Sequence, residues 1–425
     1  MSSWKPVYSQ RLDGTLQRGR RWLEECHLEG QAGTSGWAHF RGEDEPTVWG
    51  GTLDAIRALL SLGAPPLSTE IASALDWMKR QQRSDGGFGS RELQYSASEA
   101  TSWVLITFAQ LGLTAKNDQT AKRAVEYLLK CVDARGGVST TPLDFDDPRT
   151  FPASLALWAL SQQPGTAQVC GTIIERLRTS QDSETGGWGV KFGAPANAGS
   201  TAQVLHAVRK SGVTEDVGWL SQGKRYLISR QGTDGGWTNS HDEWFTRAVP
   251  KIPYRTSHFV VGWALLALSF FEHRDARLSA TLAARKLIDT QQSSGAWLYE
   301  EFDPTEHVWC TTQAVIALVV WRESKHARVV ERGSTSQRVD TYSRAGADLL
   351  TSLVQGWRAW VLYLIVAVLV VAQFGSSIGD MTISVLRFLR LDGSSVWNNV
   401  ASSAIWTVVV VAGALVTKKL SGRNT

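Results

Sequence analysis

Three carboxylates stand within four residues at Asp144-Phe145-Asp146-Asp147. A carboxyl beside another carboxylate resists ionisation, and removal from water raises its pKa further. A group held neutral in this way is a general acid. The same letters also suit a plainer role, with Asp147 capping a helix whose first turn holds Pro148. A second concentration of function-bearing residues is the loop 238–257, TNSHDEWFTRAVPKIPYRTS, which carries Arg247, Lys251 and Arg255. Together with Lys191 and His241 these could meet a diphosphate or carboxylate at a cavity rim, where helix N-termini already favour anions. A solvated loop with its ordinary share of charge fits them equally. The chain has no Asp-Asp-x-x-Asp for magnesium–diphosphate ionisation, no phosphate-binding Gly-Lys-Ser/Thr loop and no nucleophile elbow.

These residues sit in a repeat. A glycine turn and a landmark position recur at Trp37, Phe88, Val138, Trp188, Trp237 and Trp297, with spacings of 51, 50, 50, 49 and 60. A near-constant period of this size signals stacked supersecondary units. An amphipathic helix precedes each landmark, over 11–27, 69–82, 119–133, 169–181, 216–231 and 277–292. Most of these end in glutamine before a glycine turn: Gln82 before Gly86, Gln181 before Gly186, Gln231 before Gly235, Gln292 before Gly295. A more apolar helix follows each loop, over 50–62, 98–112, 150–162, 199–210, 256–270 and 308–321. Many of these begin near a threonine, such as Thr52, Thr101, Thr201 or Thr311. Six polar helices alternating with six apolar ones predict an inner ring wrapped by an outer ring.

The segments QQRSDGGFG at 81–89, SQDSETGGWG at 180–189, RQGTDGGWT at 230–238 and TQQSSGAW at 290–297 resemble the glutamine–tryptophan repeat of the prenyltransferase and squalene-cyclase family. The resemblance covers about residues 11–322; the third repeat is its poorest copy, with Val138 in place of the aromatic. It implies an all-α fold, an (α/α)6 toroid around a central cavity. Class II cyclases of this family use the middle aspartate of an Asp-x-Asp-Asp to protonate an alkene or epoxide, which would make Asp146 the acid between Asp144 and Asp147. The register differs, because counting back from Trp158-Ala159-Leu160 puts Phe151 and Pro152 at the paired-aspartate positions. Protein prenyltransferases in the family bind zinc through Asp-x-Cys and His at the starts of successive inner helices. By that resemblance His258 and Cys310 fall at ligand positions, Thr256 replaces the aspartate, and Asp303, Glu306 or His307 would supply a third ligand.

Beyond Arg322 the character changes. Residues 322–344 are polar and basic, and 323–356 is expected to be a linker with a pre-membrane helix. Ala359–Phe374 and Val400–Val416 are apolar runs flanked by Trp357, Trp360, Trp397 and Trp406. They predict a transmembrane hairpin over 357–417, with spans at about 358–376 and 399–417. Basic residues before the first span and in the tail 418–425 put both ends, and the toroid of residues 1–322, on the cytoplasmic side of the cell membrane. Arg387 and Arg390 in the connecting loop run against that orientation.

Composition narrows the function classes. A net charge of +4 argues against a nucleic-acid binder. The four scattered cysteines fit free thiols rather than a disulfide framework, and the first thirty residues contain no apolar run of the signal-peptide kind. Three functions are consistent with the chain. It is a membrane-anchored toroid holding an isoprenoid-type or other elongated apolar ligand, an active class II terpene cyclase, or a recognition module for a peptide whose hairpin, assembled as a homo-oligomer, perturbs a membrane in antiviral defence.

Overall fold

Each glutamine that ends an outer helix makes two hydrogen bonds, and those bonds build the ring. Gln82 Nε2 donates to the Gly86 carbonyl at 2.9 Å, within its own turn, and to the Thr120 carbonyl at 2.8 Å, at the start of the next outer helix. Gln181 does the same with Gly186 and Trp219, and Gln231 with Gly235 and Ser279. In the last repeat the clasp is made by Gln291, bonded to Gly295 and to Thr15 of the first helix at 2.9 Å each. The expected residue was Gln292. Its backbone N–H instead closes the turn on Ala296, because a clasp of this kind needs the side chain four or five residues before its glycine. The glycine has its own requirement. At Gly86, φ is +90° and a Cβ would lie 2.6 Å from the Arg123 carbonyl oxygen, so neither the backbone nor the space admits a side chain.

The computed structural model describes residues 4–89, 95–142, 148–213, 218–245 and 253–324. Outer helices α1 (Trp4–Glu25), α3 (Thr69–Arg80), α5 (Gln119–Lys130), α7 (Ala167–Thr179), α9 (Gly218–Ser229) and α11 (Arg274–Thr290) alternate with inner helices α2 (Leu53–Ser61), α4 (Ser98–Gln110), α6 (Thr150–Ser161), α8 (Ala198–Lys210), α10 (Val260–Leu268) and α12 (Val308–Glu323). The inner helices pack in the order α2, α4, α6, α8, α10, α12 and back to α2, so the ring is closed. Burial follows from that position. Every residue from Thr150 to Leu160 of α6 and all of α10 are buried, whereas α3 buries only Ile71, Ala74 and Met78.

Landmark and inner helix are joined by the threonines. Thr52, Thr101, Thr201 and Thr311 each accept, on Oγ1, the backbone N–H of Trp37, Phe88, Trp188 and Trp297 at 2.9–3.1 Å. The indole N–H groups of Trp37, Trp188, Trp237 and Trp297 donate to carbonyls near the end of the preceding outer helix, at 2.7–2.8 Å. The landmark aromatics thus satisfy helix-end acceptors that would otherwise be buried and unpaired.

Two short sheets depart from the all-helical expectation. Strands β1 (His27–Glu29) and β2 (Ser35–Trp37) pair in the first repeat. The long fifth loop forms an antiparallel hairpin of β3 (Ser240–Phe245) and β4 (Pro253–His258), so the helix expected from 256 begins at Val260. The seam between first and last repeats is closed by a β-bridge between Phe40 and His307, by Val308 N–H on the His39 carbonyl, and by Glu306. Glu306 accepts from Trp22 Nε1 at 3.0 Å, Arg41 Nη1 at 3.1 Å and Ser294 Oγ.

The chain divides into two units, Met1–Ser336 and Gln337–Thr425. The expected hairpin of 357–417, its linker and the tail lie outside the described residues. Among the described residues no helix is long and apolar enough to cross a membrane.

Candidate functional site

Every inner helix sends a side chain to one cluster inside the ring. Trp103 of α4 and Trp263 of α10, on opposite sides of the ring, have ring centroids 6.0 Å apart. Trp158 of α6 stands edge-on to Trp103 at 5.7 Å, and His206 of α8 lies 4.8 Å from Trp158 and 5.7 Å from Trp263. From α2 the Arg57 guanidinium lies over Trp103 at 4.3 Å and over Trp158 at 5.2 Å. From α12 the Gln313 carbonyl accepts the Trp263 indole N–H at 2.8 Å. The ring is therefore closed across its axis at this level by the chain's own aromatic side chains.

Helical spacing explains the convergence. Two residues beyond Thr52, Thr101, Thr201 and Thr311 come Asp54, Trp103, Gln203 and Gln313; three further on come Arg57 and His206. Positions i and i+3 share a helix face, and the threonine fixes which face looks inward. Trp309 and Gln313, at i and i+4, are half-buried on a helix packed outside by α1 and α11.

Charge in this interior is sparse. Asp54 Oδ2 accepts the Gly50 N–H at 3.0 Å, while its Oδ1 lies 3.5 Å from Arg57 Nη1. Burial raises the Asp54 carboxyl, against the opposing effects of Arg57 and the Gly50 bond. Burial likewise pushes the Arg57 guanidinium down to about 10, with Asp54 working the other way. His206 is pushed well below its usual range, by burial first and then by Lys210 and Arg57, so its imidazole is neutral.

A second buried pair lies where the inner helices begin. Arg149, just before α6, donates to Glu99 of α4 at 2.6 Å and also to Thr140 Oγ1; Glu99 is fully buried and Arg149 is 2% exposed. Thr140 and Arg149 flank the segment that carries Asp144, Asp146 and Asp147. Those three aspartates, with Arg247 and Lys251, lie outside the described residues. His241 and Arg255 contribute their backbones to the β3–β4 hairpin, opposite Ser257 and Glu243, and Lys191 bridges to Arg149 through the backbone.

His258 ends β4 rather than starting a helix. It is buried beside Phe151, and its Nδ1 lies 2.7 Å from Gln203 Nε2. Cys310 is fully buried, and burial, aided by Asp54, raises its thiol well above the ordinary range. Metal ligation needs a thiolate, which that environment disfavours. Among the described residues no group of three or more His, Cys, Asp or Glu is arranged to hold a metal.

The comparisons with known proteins agree with this architecture. Residues 147–309 match the squalene-hopene cyclase C-terminal domain family. Over that stretch the repeat domain is squalene–hopene cyclase-like. Among solved structures, the cyclase-like domain is similar to the apo type II terpene cyclase MstE from Scytonema, at 16% identity and a TM-score of 0.53, covering 73% of this chain and 98% of that one. It is also similar to a protein from Actinoplanes (18%, TM-score 0.54, 75% and 99% covered) and to a glycosidase variant (12%, TM-score 0.50, 73% and 97% covered). No curated protein matches the sequence. At these identities the likeness fixes the fold, and since a glycosidase shares it, function has to come from the interior of this ring.

Proposed function

We propose that the cyclase-like domain holds an elongated, isoprenoid-type ligand in the hollow of its inner ring. The observation that carries this reading is the meeting of Trp103, Trp158 and Trp263 at the axis. Three indoles from three helices offer a long apolar chain broad π-surfaces, and they would shelter positive charge developing on it. A variant of the Scytonema cyclase has been solved with geranylgeranyl dihydroxybenzoate as its substrate, which supports a ligand of this class for a ring of this kind. The test is titration of the full-length protein with geranylgeranyl-bearing ligands. Saturable binding that weakens about tenfold or more in Trp103→Ala is expected, from the loss of one buried indole. Absence of saturable binding, or equal affinity in both proteins, would refute the assignment.

A specific observation also favours catalysis. The buried Glu99–Arg149–Thr140 network pins both flanks of the acidic segment where α4 and α6 begin. In this reading Asp146 protonates the far end of the bound chain: its O–H bond breaks, and either the π pair of a terminal alkene forms a C–H bond, or the oxygen of an epoxide forms an O–H bond as its C–O bond opens, leaving a carbocation in the hollow. Incubation with squalene or a geranylgeranyl substrate should yield cyclic product from wild type and none from Asp146→Asn. Equal product from both would remove Asp146 from the reaction.

We infer from the sequence alone that residues 357–417 tether the domain to the cytoplasmic face of the cell membrane. Retention in the membrane fraction after alkaline carbonate extraction is the expected result, and release into the supernatant would exclude spanning segments.

A further inference from the structure

The interior cluster contains hydrogen-bond donors that the chain itself does not use. A guanidinium has five N–H donors. Among the described residues that of Arg57 makes one hydrogen bond, the 3.5 Å contact with Asp54 at the outer limit of such bonds, and its Nε is buried with no partner there. Trp103 Nε1 is likewise buried and unpartnered, whereas Trp263 Nε1 is taken by Gln313. A buried donor left unpaired is costly, and a charged one more so. The fold thus tolerates two such donors on neighbouring inward-facing side chains.

The surroundings state what these donors would accept. Trp103 and Trp158 pack on the guanidinium, so acceptors are left with its N–H edges. A planar carboxylate, or two oxygens of a phosphate, matches an arginine edge in bidentate fashion. Asp54 is the carboxylate that offsets Arg57, while the Lys210 ammonium is pushed down by burial first and then by the same guanidinium, so positive charge predominates around it. Arg57 and Trp103 keep 4% and 6% exposure and sit in the cluster where the inner helices meet.

We propose that Arg57 and the Trp103 indole N–H form an oxyanion-binding site in the hollow, and that the ligand is an amphiphile entering with a carboxylate or phosphate head first. The inference rests on the ligand-binding reading for the nature of the chain, and on Arg57 and Trp103 for the head.

Calorimetric titration of the full-length protein with geranylgeraniol, geranylgeranoic acid and geranylgeranyl monophosphate tests it, since the three share a chain and differ in the head. One of the two acids should bind about tenfold or more tightly than the alcohol, and the tighter one identifies the head. Arg57→Gln should bring that acid to the level of the alcohol and leave the alcohol within about twofold of its wild-type affinity. Equal binding of all three by wild type overturns the oxyanion site and leaves the isoprenoid reading standing. If no geranylgeranyl probe binds but decanoate or inorganic phosphate does so through Arg57, the chain assignment fails and the site stands; if nothing binds, the proposal falls. Should Arg57→Gln fail to fold, Arg57→Lys keeps a cation while removing the planar fork of donors. A loss confined to the acids supports the site, and an equal loss for acid and alcohol overturns it.

Discussion

Two arginines lie inside this ring, and each is held by a different balance. Arg149 has Glu99 at 2.6 Å with Thr140 alongside, which is the short, charge-assisted geometry that repays desolvation. Arg57 has a carboxylate only at 3.5 Å and is held largely by indole faces, an interaction worth about 2 kcal/mol when desolvated. Removing one member of the first pair strands a buried charge. Glu99→Leu should therefore destabilise the domain by about 3–5 kcal/mol, read as a lower urea midpoint, while a Glu99→Leu/Arg149→Met double variant should recover much of the loss. A double variant no better than the single one would show that the pair contributes net stability beyond neutralising itself. The same cycle bears on catalysis, because Arg149 anchors one flank of the acidic segment.

At the scale of the element, the clasp is the unit. Gln231 donates to Gly235 and Ser279 through Nε2 and accepts from Ser279 Oγ at 2.6 Å. Gln231→Ala removes three hydrogen bonds and leaves buried carbonyls unpaired, so a loss of about 2–4 kcal/mol is expected; an unchanged urea midpoint would show that the clasp is incidental. These elements were legible in the sequence because their rules are local. The period, the glycine turns and the threonines at the inner-helix starts are each set within one repeat, and the helix boundaries fall within about four residues of expectation except at the start of α1, which begins seven residues early at Trp4. The misassigned Gln292 came from adjacency to the turn, when the four-residue reach to Gly295 selects Gln291. The β3–β4 hairpin escaped notice because its strands carry no clean alternation of polar and apolar residues. The interior site was hidden for another reason. Asp54 and Arg57 do not stand out in the sequence, because nothing local in the helix expected over 50–62 shows that closure of the ring brings Trp103, Trp158 and Trp263 to them.

At the scale of the whole molecule, the seam is one place where acid should act, alongside the buried His206 of the core. Burial works to raise the Glu306 carboxyl, but hydrogen bonds from Ser294, Trp22 and Arg41 outweigh it and hold the group below 4.5. The stability this provides is complete above the unfolded value and disappears as pH falls through the folded one. His39, across the seam from His307, is pushed down to about 4 by burial first and by His307 second. Its unfolded form takes up a proton near 6.5 while its folded form does not, so stability falls between pH 6.5 and 4, by about 3 kcal/mol. Urea midpoints should therefore drop over that interval, and His39→Phe should flatten the upper part of the fall. A His39→Phe profile that parallels wild type would assign the acid sensitivity elsewhere.

The Gln291 clasp on Thr15 has a consequence for biosynthesis. Helix α1 is made first, yet its partners on one side are among the last parts of the domain to leave the ribosome. Until they emerge, the stripe of Leu12, Leu16 and Leu23, which is buried in the finished ring, has only part of its cover. A nascent chain of this design carries an apolar flank through nearly the whole of translation, and that flank is what a holding chaperone would grip.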